Sequence, residues 1–114
     1  MAIQNLIGGG VGAAVVGTAI SAAGTTQATA TELTAADSEV TTVAANAGVV
    51  LNRLFAPGEE QAIFNAGLNS LKVYPPVGMQ FIALPVNTAI LLSINTGVLF
   101  RCVSTTRIFG VLSA

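Results

Sequence analysis

From residue 25 onward apolar side chains alternate with small or polar ones, the two-residue period of strands whose faces see different surroundings. Residues 25–33, rich in Thr and Ala, read as a first strand. Residues 35–39, carrying Asp37 and Ser38, read as a loop or a short helical turn. Residues 39–44 form a second strand ended near Asn46 and Gly48, and residues 49–55 a third that stops at the Pro57-Gly58 turn. Residues 61–65 and 70–74 flank Asn65-Ala66-Gly67-Leu68-Asn69, whose residues tolerate positive φ, so the two are expected to form a hairpin. After Pro75, Pro76 and Gly78 break the pattern, residues 89–94, 98–103 and 108–112 resume it. Ile90, Leu92 and Ile94 share one face, with Leu91 on the other. Past the Asn95-Thr96-Gly97 turn, Val98, Phe100 and Cys102 face one way while Leu99, Arg101 and Val103 face the other. Seven or so short strands with regular turn signals predict an all-β fold, a small antiparallel β-sandwich or barrel-like domain over residues 25–114. Strands apolar on both sides imply that both faces are covered. No alternation of strands and helices supports a parallel nucleotide-binding sheet.

Residues 1–24 have a different character: Gly, Ala, Val and Ile dominate, and no side chain before Glu32 is charged. The apolar run from Ile3 to Ala23 approaches the length of a membrane span. Its many glycines weaken that reading, and it has no flanking Lys or Arg to orient it. The same lack of positive charge argues against a secretory signal. The reading adopted is an extended glycine/alanine-rich N-terminal arm that orders against neighbouring subunits, with close backbone approach permitted by glycine.

Composition sharpens this picture. Only 8% of the 114 residues are charged and 53% are hydrophobic, with no Trp. An ordinary soluble domain carries roughly 25% charged residues. So few charges leave much of the surface to be covered by other protein, either sister subunits or a host lattice. The net charge of −1 comes with four scattered cations, Arg53, Lys72, Arg101 and Arg107, and no basic stripe, so direct nucleic-acid binding is not expected. The single cysteine, Cys102, lies in an apolar run and reads as a buried, inert thiol. With no histidine, neither a Ser-His-Asp nor a Cys-His pair can form, and no metal or cofactor site is expected. The acids Glu32, Asp37, Glu39, Glu59 and Glu60 read as solvated carboxylates of loops and strand ends. Gly8-Gly9-Gly10-Val11-Gly12 lacks the Lys-Ser/Thr of a phosphate loop. No catalytic constellation can be assembled, and the expected role is structural.

The segments Gly24-Thr25-Thr26-Gln27-Ala28-Thr29-Ala30, Thr41-Thr42-Val43-Ala44-Ala45 and Asn65-Ala66-Gly67-Leu68-Asn69-Ser70-Leu71-Lys72-Val73-Tyr74-Pro75 together resemble a family of small tailed-phage virion proteins. In that family an N-A-G-x-N stretch leads into a V-Y-P end. A later segment corresponds to residues 84–89, and a closing strand with Phe and Cys corresponds to Phe100 to Val103. The likeness covers about residues 24–114 and leaves out the glycine-rich start. Family members often carry a Trp near the C-terminus, where this chain has Ile108 and Phe109. The resemblance implies a β-rich decoration (cement) protein on the outer capsid surface, a homotrimer seated on the major capsid protein. Other virion roles (tail, neck or lattice-forming subunit) and a membrane-anchored β-domain are the alternatives. The candidate interface residues are Ile3, Leu6, Ile7, Val11, Val15, Val16 and Ile20 of the arm, with Arg53, Tyr74, Arg101 and Arg107, each able to pair or anchor across a subunit contact.

Overall fold

In a computed structural model that describes residues 16–113, the chain passes back and forth between two sheets, one strand at a time, until a final hairpin within the larger sheet. The strands are β1 (Val16–Ser21), β2 (Thr31–Glu32), β3 (Asp37–Thr42), β4 (Gly48–Val50), β5 (Glu60–Asn65), β6 (Leu71–Tyr74), β7 (Gln80–Phe81), β8 (Ile90–Leu92), β9 (Gly97–Cys102) and β10 (Arg107–Leu112). No helix occurs among the described residues. The larger sheet has the order β1-β3-β5-β9-β10-β7 and the smaller one β2-β4-β6-β8.

The all-β expectation holds, but the antiparallel one does not: both sheets are mixed. β1, β3 and β5 are parallel, as are β2, β4 and β6. Val16 pairs with Asp37 and Asp37 with Ala62, so equivalent positions recur every 20–25 residues or so, the period of a solenoid. Three coils of two strands each wind in this way. The chain then reverses, with β8 antiparallel to β6, β9 antiparallel to β5, a β9–β10 hairpin, and β7 parallel to β10.

The two sheets share one core. Val40, Ile63, Val98, Phe100, Cys102 and Ile108 point inward from the larger sheet and meet Val49, Leu71, Val73 and Leu92 from the smaller. Phe81 stacks on Phe100 with centroids 4.9 Å apart. Strand alternation read from the sequence therefore places β9 correctly, and Leu92 is buried while Leu91 is exposed.

Three local expectations are corrected. Residues 25–30 form a turn, not a strand: Thr29 Oγ1 accepts from the Thr26 amide at 3.2 Å, and the Ala30 amide donates to the Thr26 carbonyl at 3.0 Å. Hydroxyls that satisfy nearby backbone compete with a ladder, and here they win. β1 lies in the stretch read as arm and forms the edge of the larger sheet. Finally, β5 and β6 are not a hairpin. They belong to different sheets, and residues 66–70 form a corner between them.

Buried amides hold these corners. Asn65, fully buried, donates from Nδ2 to the carbonyls of Asn69 (2.9 Å) and Leu92 (3.0 Å), while its Oδ1 accepts from the Gly67 amide (2.9 Å). Asn69 Nδ2 in turn reaches the Val43 carbonyl of the preceding coil at 2.8 Å. At the other end of β5, Gln61 Nε2 donates to Leu33 (2.8 Å) and Ala35 (3.2 Å), and its Oε1 accepts from the Asn52 amide (3.1 Å). Corner backbones lack a ladder, so buried side chains supply the partners.

Candidate functional site: the outer face of the larger sheet

Residues alternate in and out along each strand, so the face that turns away from the core follows from register. One row of paired residues crosses five strands: Val16, Asp37, Ala62, Leu99 and Val111. A second row, Glu39, Phe64 and Gly97, lies on one side of it, and a third, Glu60, Arg101 and Phe109, on the other. The central row spans four inter-strand spacings, about 19 Å.

Most of this face is apolar and open to solvent. Phe64, Leu99, Phe109 and Val111 are 42%, 43%, 48% and 56% exposed, and Val16 is also exposed at the row's end. Small residues among large ones make the face concave. Ala62 and Gly97 form the floor, Phe64, Leu99 and Val111 stand above it, and the cleft holds about 520 Å³. A Cβ at position 97 would lie 3.3 Å from the Ile63 carbonyl oxygen of the neighbouring strand, a tight approach, and would touch the Phe64 ring. Contiguous exposed apolar surface of this kind marks an interaction site more often than it occurs on an isolated monomer.

Charge enters this face at Asp37 in the central row and at Glu39, Glu60 and Arg101 in the rows beside it. Arg101 Nη1 meets Glu60 Oε2 at 3.2 Å, with both side chains largely exposed, so the pair adds little stability. Asp37 and Glu39 lie on the β1 side of Ala62. Glu59, beside this face, has a structural use: its Oε1 accepts from the Ala56 amide at 2.8 Å and closes the Pro57-Gly58 turn. Gly58 takes a φ of 90° there, as the third position of a type II turn requires.

The candidate interface residues separate into groups. Ile3, Leu6, Ile7, Val11 and Val15 lie outside the described residues. Val16, Arg101 and Arg107 lie on the outer face of the larger sheet but on separate strands, Val16 on edge strand β1, Arg101 on β9 and Arg107 at the start of β10. Ile20 is half-buried and packs against the core. Arg53 sits elsewhere, its Nε 3.3 Å from Glu32 Oε2. Tyr74 donates from its hydroxyl to the Thr25 carbonyl at 3.0 Å and so anchors the turn before β2.

Sequence reasoning did not single out Phe64, Ala62, Gly97, Leu99, Phe109 and Val111. The signal was present in the alternation of β5 and β9, whose outward positions Ala62, Phe64, Gly97 and Leu99 are uncharged while Glu60 and Arg101 are not, but only register brings those positions side by side. Cys102 is buried, donating its thiol to the Ser104 carbonyl at 3.1 Å, and burial pushes its pKa up. Among the described residues no three His, Cys, Asp or Glu side chains gather into a metal-binding group. No helix among them is long and apolar enough to cross a membrane. Compared with known proteins, the chain matches no family model, no curated protein and no solved structure.

Proposed function

We propose that this chain is a structural protein of a tailed-phage particle, a decoration or cement subunit that works as a closed homo-oligomer on the outer surface of the capsid and binds the major capsid protein. The observation that carries the reading is the apolar outer face of the larger sheet, in a chain with only 8% charged residues. The resemblance of residues 24–114 to small virion proteins supplies the setting. The mechanism is mechanical. Apolar area removed from water contributes about 25 cal/mol per Å², before the cost of ordering is subtracted. Spread over many copies across capsomer junctions, such contacts raise the barrier to rupture under internal DNA pressure.

The test is the molar mass of the full chain by light scattering without detergent, followed by co-sedimentation with empty phage capsids. A multiple of the 11.4 kDa protomer and retention on capsids support the proposal. A monomer at every concentration that stays in the supernatant overturns it.

A further inference from the structure

The smaller sheet ends at β8, while the larger continues past β9 to β10 and β7. β8 pairs with β6 alone, and β7 accompanies β10 only at Arg107 and Ile108, so both sheets have an open edge on this side. Register shows what the missing cover leaves bare. Gly110 pairs with Phe100 and Leu112 with Val98, which puts both on the inner face of the larger sheet. Phe100 and Val98 are buried, yet Gly110 is exposed and Leu112 is 60% exposed. Beside them the space between the sheets stays unfilled, a cavity of about 190 Å³ lined by Phe81, Leu84, Ile90, Val98, Phe100 and Leu112. Apolar cavities of about 150 Å³ already accept a benzene ring, so this one has room for a large aliphatic side chain. Gly110 keeps it open, since a Cβ there would lie 3.1 Å from the Phe100 ring.

We propose that this groove receives residues 1–15 of a neighbouring copy, laid along β8 as a further strand of the smaller sheet. Strand addition of this kind takes affinity from the main chain and specificity from pockets for particular side chains. The segment has the matching composition. It carries no charged side chain, and Ile3, Ile7, Val11 and Val15 all fall at odd positions, on one face of an extended chain. Gly8, Gly10, Gly12 and Ala14 fall on the other, where small residues let backbones approach closely. A bulky side chain enters the cavity while its small neighbours clear the rim. Position in the fold favours a neighbour's segment over the chain's own. Residue 15 leads into β1, at one edge of the larger sheet, and the groove opens toward the opposite edge. A chain reaching its own groove would have to cross four inter-strand spacings, about 19 Å, and turn around the far strands. A copy set edge to edge with β1 brings its groove to the segment directly. Each copy then gives at one edge and receives at the other, a heterologous contact that forms a ring when its rotation closes.

This contact rests on the self-association of the proposed function, but the two fail separately. The experiment is sedimentation equilibrium of the full chain and of variants checked for wild-type folding by circular dichroism. Leu112→Asp, on the exposed rim of the groove, and Ile7→Asp, in the segment, each bury an unpaired carboxylate in the contact. Each raises the Kd of self-association by about a hundredfold. Mixed at high concentration, the two give a one-to-one dimer and nothing larger, since the first supplies an intact segment and the second an intact groove. Ile82→Asp, also on the groove's lining, takes the place of Leu112→Asp should that variant misfold. Leu54→Asp, in the exposed turn before β5, changes nothing. A wild-type oligomer that the groove and segment substitutions leave intact overturns the contact and spares self-association. Monomeric variants that give no mixed dimer overturn the exchange between copies. A wild-type monomer overturns both.

Discussion

Asn65 offers the sharpest test of how the corners are held. Asn65→Ala removes three hydrogen bonds at a buried site and deprives the Gly67 amide and the Asn69 and Leu92 carbonyls of a partner. Each buried bond is worth about 1 kcal/mol net, and stranded groups add their own penalty, so the loss is about 3–5 kcal/mol. A domain of this size has a total stability of about 5–15 kcal/mol, so the variant sits near the edge of folding. Asn69→Ala provides the scale. Its side chain is exposed and makes one bond, to the Val43 carbonyl, so its loss costs about 1 kcal/mol.

Urea unfolding followed by far-ultraviolet circular dichroism gives both values from the shift in midpoint. Asn65→Asp adds a second discriminator. The carboxylate still accepts from Gly67 but turns an acceptor toward two carbonyl oxygens in a buried site. It is therefore less stable than Asn65→Ala at pH 7, and the gap narrows as acid protonates it. An Asn65→Ala loss under about 1 kcal/mol, or one no larger than that of Asn69→Ala, would refute the claim that this amide holds the corner.

Other perturbations follow from single contacts. Ser38 Oγ is buried without a hydrogen-bond partner, so Ser38→Ala raises stability by about 1 kcal/mol, read as a higher melting temperature. Cys102 has its pKa raised by burial, so the folded thiol keeps its proton where the unfolded one ionises, above about pH 8.5. Stability is therefore unaffected by this group below that pH and falls as pH rises through it; thermal melts from pH 7.5 to 9.5 should show a slope that Cys102→Ala lacks. Gly67→Ala would place a Cβ 2.6 Å from a Val43 methyl, where one corner stacks on the previous one, and should cost about 1–3 kcal/mol in the same urea assay.

What the sequence disclosed was local. The Pro57-Gly58 turn, the extent of β5, β6, β9 and β10, and the inward set Val98, Phe100 and Cys102 follow from alternation and turn chemistry over a few residues. Partnership did not follow. Asn65-Ala66-Gly67-Leu68-Asn69 has the residues of a hairpin loop, yet the same tolerance for unusual backbone serves a corner that carries the chain to the other sheet. The Asn65 side chain decides between the two by bonding to Leu92, far along the chain. The strand at Val16–Ser21 was hidden by its composition, since small residues gave it no alternation to read. The candidate face was hidden for a related reason. Ala62, Leu99 and Val111 become neighbours only once parallel and antiparallel pairings are both known.

The coil architecture also sets the tempo of folding. Only β9 and β10 are neighbours in both sequence and sheet; other pairings join segments separated by many residues, as when Asp37 meets Ala62 or Val49 meets Val73. Closing such loops must precede any reward from the ladder, which places the chain among slow folders, on the millisecond-to-second scale. This topology predicts that the β9–β10 hairpin forms first and that β5 docks on β9 before the earlier coils are added. Folding φ-values for Phe100 and Ile108 well above that for Val49 would bear out this order. Synthesis runs the other way, so the first coils leave the ribosome before the strands that organise them exist.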